Sequence, residues 1–215
     1  MNITSLAAKT GVLFTDLLRE IVLDKPALRV DAYPQSGSVS LSIQSNPTDQ
    51  GRIIGGRGLH FRSLLALANC IGLKNGCTVN LAPMPRPTKR SERYDAFQPK
   101  EDWRKKEVGA LLGRVVTAVA AHDQSVEINL ADQAGAVTLT TVRMARSESY
   151  ALILSMIQGM VNPSDGSAMG WLKILFNAVG KANGRTIFLE VIADQDFEPQ
   201  QPATADGRHS RELSA

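Results

Sequence analysis

The sequence predicts an α+β protein of two tandem units, and three observations carry the prediction. Within residues 11 to 82, apolar residues recur first at helical and then at strand spacing. A stretch rich in glycine and arginine, Gly51-Arg52-Ile53-Ile54-Gly55-Gly56-Arg57-Gly58, runs straight into an apolar helical pattern. The same order of apolar and turn residues returns when the chain is displaced by 98 residues.

The first helix is predicted over Gly11 to Asp24, where Leu13, Leu17, Leu18 and Ile21 form a stripe and Pro26 helps end it. Residues 1 to 10 either fray or extend it. Alternating strands follow, Leu28 to Tyr33 and Ser38 to Ile43, separated by the turn-forming Pro34-Gln35-Ser36-Gly37. After the glycine stretch, Leu59, Phe61, Leu64, Leu65, Leu67, Ala68 and Ile71 mark a further helix. Gly76 opens a last strand, Cys77 to Leu81.

The glycine stretch is suited to a phosphodiester backbone. Gly55, Gly56 and Gly58 lack a Cβ, so a sugar-phosphate chain is able to lie against the main chain. The helix that follows turns its free amides toward the same place, and such a helix start attracts anions. Arg57 supplies charge within the turn, with Arg52 before it and Arg62 one turn into the helix; His60 stands beside it. A tight helix-helix turn without any ligand is the competing reading of the same glycines.

Ile54-Gly55-Gly56-Arg57-Gly58, preceded by Asn46-Pro47-Thr48-Asp49 and followed by an amphipathic helix, resembles the I-G-x-x-G loop of a KH domain. The order helix, strand, strand, helix, loop, helix, strand is similar to the type II KH domain of bacterial single-KH RNA-binding proteins. The resemblance implies a three-stranded sheet covered on one face by helices. It also implies an aliphatic groove that receives bases, with Ile53, Ile54, Leu59 and side chains of residues 28 to 33 as its candidates.

The displacement of 98 sets Gly11 on Gly109 and Leu13 on Leu111. It also sets Gln35, Gly37, Val39 and Leu41 on Gln133, Gly135, Val137 and Leu139. Beyond a ten-residue insertion the displacement becomes 108, and Leu64, Asn69, Gly72, Asn75, Gly76, Thr78 and Leu81 fall on Leu172, Asn177, Gly180, Asn183, Gly184, Thr186 and Leu189. The second unit is therefore read as a degenerate copy. It has an apolar helix, Ser147 to Val161, and then Asn162-Pro163-Ser164-Asp165-Gly166 where the first has its glycine loop. No arginine stands between Gly159 and Gly184, and Asp165 repels phosphate. Its apolar surface, including Leu152, Leu154, Met156, Ile157, Met160 and Trp171, is read as packing against the first unit or a second chain.

These readings divide the chain into a KH-like unit over residues 1–82, a charged proline-containing connector over 83–107, a degenerate unit over 108–194 and a disordered tail over 195–215. The connector clusters Arg86, Lys89, Arg90 and Arg93, diluted by Glu92, Asp95, Glu101, Asp102 and Glu107. Mixed signs favour a solvated linker over a phosphate-contacting strip. Tyr94, Phe97 and Trp103 either pin the connector to a domain or stack on bases.

A hydrophobic content of 43% suffices for ordinary cores, and there is neither an apolar run of transmembrane length nor a signal-peptide pattern at the N-terminus. A net charge of +3 is too small to identify a nucleic-acid binder by itself. Cys70 and Cys77 lack metal-ligand spacing and are read as reduced thiols; His122 and His209 look incidental. Aromatic residues are only 5% of the chain, which argues against RRM or OB surfaces that stack bases on exposed rings. The loop matches neither the P-loop nor the dinucleotide-binding pattern, and no catalytic set or metal cluster has recognisable spacing.

The expected function is cytoplasmic and non-enzymatic: binding of single-stranded RNA, with DNA an alternative ligand, through Arg52, Ile53, Ile54, Gly55, Gly56, Arg57, Gly58, His60 and Arg62. No cofactor, metal or membrane is expected. The second unit is assigned to a protein partner, to self-association or to a weak auxiliary grip. The rival reading is an interaction or assembly module on a KH scaffold that does not bind nucleic acid.

Overall fold

The structure, a computed structural model, describes residues 2–84, 105–120, 126–133, 137–145 and 170–194. These residues form five α-helices and two three-stranded sheets, an α+β fold. The basic cluster and aromatics of the connector, the Ser147 to Val161 helix and the tail from residue 195 lie outside them.

Helix α1 spans Ile3–Arg19, so it starts well before Gly11. Asn2 caps it by accepting from the Thr4 amide at 2.9 Å, and Leu6, Ala7, Thr10, Leu13, Phe14, Leu17 and Leu18 form the buried stripe. It also stops before Asp24. Ile21 and Val22 stay in the core beyond the helix, while the amides of Leu23 and Asp24 donate to the two carboxylate oxygens of Asp49 at 3.0 and 2.9 Å. That carboxylate takes the donors that would have continued the helix.

Strands β1 (Arg29–Gln35) and β2 (Ser38–Gln44) pair antiparallel through a two-residue turn, with Gly37 at φ 71°. Pro34 is part of the ladder and not of the turn, which an edge strand tolerates. Helix α2 (Pro47–Ile54) follows, capped by Asn46, and then a 3₁₀ turn over Gly56–Gly58, helix α3 (Leu59–Lys74) and strand β3 (Thr78–Leu81), which lies parallel to β2.

The second unit repeats this plan with α4 (Lys105–Val119), β4 (Val126–Gln133), β5 (Val137–Ala145), α5 (Gly170–Ala182) and β6 (Thr186–Asp194). Its helix begins at Lys105, inside the stretch assigned to the connector. β4 and β5 are antiparallel, β5 and β6 parallel, as in the first sheet.

The repeat is closest where α3 and α5 end. Asn75 and Asn183 each turn a side-chain amide back onto the helix, to the carbonyls of Ile71 (2.7 Å) and Val179 (2.8 Å). Gly76 and Gly184 then take φ of 64° and 69°. The amides of Cys77 and Arg185 return to the carbonyls of Gly72 and Gly180 at 3.0 and 2.8 Å.

In β5 the sequence correspondence is off by one residue. Ser38 and Val137, not Ser38 and residue 136, are the partners of Thr78 and Thr186. The second hairpin has three residues between its paired ends where the first has two, so Thr138, Thr140 and Val142 take the inward places of Val39, Leu41 and Ile43. Thr138 meets this by donating to Asp132 at 2.8 Å and accepting from Arg185 at 3.1 Å.

α1 and α3 cover one face of the first sheet, and α4 and α5 lie against the second; α1 also packs on α4 and α3 on α5. Both units thereby share one apolar core, including Phe14, Leu17, Leu67, Trp171 and Phe176. Asp16 and Arg114, whose positions differ by the repeat displacement of 98, meet at 2.9 Å. Equivalent positions in contact mark a local two-fold axis between the units.

Candidate nucleic-acid interface

The glycine loop is a bend between α2 and α3. The Gly55 amide closes α2 by donating to Gly51 at 2.9 Å, and the Gly58 amide donates to Gly55 at 3.1 Å. Gly55 has φ 72° and ψ 172°, and a Cβ there would lie 2.8 Å from two atoms of the His60 ring. Glycine is thus required for the ring to lie against the turn. Gly56 differs. It has no positive φ, it is exposed, and a Cβ added to it would meet nothing within 4 Å.

Arg57 is exposed and sits in the left-handed region at φ 55°, ψ 21°, the one non-glycine residue with positive φ among the described residues. Holding a side chain there costs about 1–3 kcal/mol. Gly58 begins α3 without a side-chain cap, and no acidic residue occupies the first turn of that helix. The Leu59 side chain is 38% exposed, and Arg62 is exposed on the next turn.

His60 locks the bend from below. Its Nδ1 lies 2.7 Å from the Arg52 carbonyl, so the neutral ring carries its proton on that nitrogen and donates. Burial pushes its pKa below the ordinary value, the bond to the carbonyl works the other way, and the charge of Lys181 lowers it further. Lys181 belongs to the last turn of α5, in the second unit.

Two expected site residues are corrected. Arg52 is only 8% exposed, with Nε 3.7 Å from the buried Asp49 carboxylate, so it braces α2 and offers no surface charge. Ile53 is fully buried in the core and cannot line a groove. Of the remaining residues, Ile54, Gly55, Gly58 and His60 are half-buried, while Gly56, Arg57 and Arg62 are exposed along the bend.

Asp49 and Lys181 were missed. Asp49 joins the end of α1 to α2, and a signal existed in Asn46-Pro47-Thr48-Asp49, a helix-start pattern with an acid in the first turn. Lys181 had no local signal, because its charge reaches His60 only through the packing of α5 on α3.

Cys70 and Cys77 are both free, the first buried. Among the described residues no group of three or more histidine, cysteine or acidic side chains is placed to hold a metal ion, and no helix is long and apolar enough to cross a membrane. No protein-family model, curated protein or solved structure matches this chain.

Proposed function

We propose that this chain binds single-stranded nucleic acid, RNA in the first place, by seating the sugar-phosphate backbone on Gly55–Gly58. One observation carries the reading: nothing in the protein's own packing explains why residue 56 lacks a side chain. Its φ is ordinary and the space beside it is empty. The main chain is therefore bare and open there, and a ligand backbone is able to approach it closely beside the exposed Arg57.

Arg57 and Arg62 supply charge beside that space, and the open amides of α3 add positive potential. The order of elements, with β3 parallel to β2 and the glycine bend between two helices, supports a type II KH-like first unit. Exposure of Gly56 and Arg57 favours this reading over the interaction module, which is best supported by a covered loop. In this view the protein is a non-enzymatic cytoplasmic RNA binder.

Fluorescence anisotropy with short single-stranded RNA and DNA pools at two salt concentrations tests it. Wild-type binding should weaken with salt, and Gly56→Asp with Arg57→Asp should abolish it while circular dichroism stays native. Undiminished affinity in a folded double mutant refutes the glycine-loop reading.

A further inference from the structure

We propose that the groove beside the glycine loop is composite, with Lys181 of the second unit contacting a phosphate of the same strand that Gly55–Gly58 grips. This rests on the nucleic-acid reading above and assigns the second unit a part in it.

The geometry begins with the local two-fold. Asp16 and Arg114 occupy equivalent positions and touch, and the equivalent helices α3 and α5 pack on one another. A two-fold relates such helices either in parallel or in opposite directions. The end of α3 lies beside the first half of α1, where Lys74 donates to the Thr117 carbonyl at 2.9 Å, whereas Asn183, just past α5, donates to Glu20, just past α1, at 3.3 Å. The two helices thus run in opposite directions, which brings the last turn of α5 beside the first turn of α3, and the effect of the Lys181 charge on the His60 ring agrees. The loop therefore meets the second unit at Lys181.

Lys181 is exposed, so its ammonium is open to a ligand. It stands on the α5 side of the loop, while Arg62 stands on α3 and Arg57 within the bend. No carboxylate occupies the first turn of α3 beside Arg57 and Arg62. A strand lying over Gly56 thus runs between cations of both units. Lys173, at the other end of α5, is exposed as well but lies in that helix's first turns, away from the bend.

The sequence of the second unit holds no Gly-x-x-Gly of its own between its second strand and α5, yet α5 packs on α3 of the first. Loss of one grip and retention of the pairing are then two sides of one arrangement.

The test uses the full chain and the same short RNA pool, with Lys181→Ala, Lys181→Glu and the control Lys173→Ala. A single ionic contact contributes about 0.7 to the slope of log K against log salt for single strands, or about fivefold in affinity at roughly 0.1 M salt relative to 1 M. Lys181→Ala should lose that much affinity and slope, Lys181→Glu more, and Lys173→Ala neither. In the absence of RNA, the His60 ring followed by NMR should titrate at higher pH in Lys181→Ala. Wild-type affinity and salt slope in Lys181→Ala, with binding still abolished by Gly56→Asp and Arg57→Asp, overturns the composite groove and leaves the loop standing. Absence of RNA binding by the wild type overturns both.

Discussion

Arg57 holds a backbone conformation that its own side chain disfavours, and it does so at an exposed position where no packing requires arginine. Arg57→Gly should therefore raise stability by about 1 kcal/mol in denaturant unfolding while weakening RNA binding. A variant that is less stable would show that the guanidinium supports the fold and not a ligand. The neighbouring arginine behaves in the opposite way. Sequence placed Arg52 just before one glycine turn and Arg57 within it, and nothing local distinguishes their directions. The difference comes from Asp49, three residues before Arg52, whose carboxylate is buried by its bonds to the amides of Leu23 and Asp24. A contact between residues so far apart in the chain has no sequence periodicity to betray it.

The helix stops of α3 and α5 were legible as matched residues before their purpose was. At each, a glycine faces the chain as it re-enters the sheet: a Cβ at Gly72 would lie 2.7 Å from the Cys77 carbonyl oxygen, and one at Gly180 would lie 2.8 Å from that of Arg185. Gly72→Ala and Gly180→Ala should each cost about 2 kcal/mol in chemical denaturation, by forcing apart backbone with no room to give. A near-neutral change at either site would show that the two stops are not equivalent. The strands were less legible. Alternation in Val137-Thr138-Leu139-Thr140 is compatible with either face, and one extra residue in the hairpin turns the threonines inward. Thr138 has Asp132 and Arg185 as partners; Thr140 Oγ1 is buried without one among the described residues. The first helix was left open at its start and misjudged at its end, for related reasons. Its start depends on the Asn2 cap, and its end on a carboxylate supplied by α2.

Two units were visible in the sequence, but their arrangement was not, because helix faces that bury against a sheet and those that bury against another helix carry the same apolar residues. The structure joins both units through one core. Unfolding should accordingly be a single transition. Leu67→Ala, in the first unit, should cost about 3 kcal/mol and shift the fluorescence of Trp171, in the second, together with far-ultraviolet circular dichroism, in a Trp103→Phe background. Two separated transitions would show that the units fold independently. The same joining bears on Asp16 and Arg114, which meet where the local two-fold passes. Were two copies of the first unit to pair in this way, aspartate would face aspartate, and in two copies of the second, arginine would face arginine. Opposite charges at matching positions therefore make each half the other's preferred mate and discourage either from marrying its own likeness.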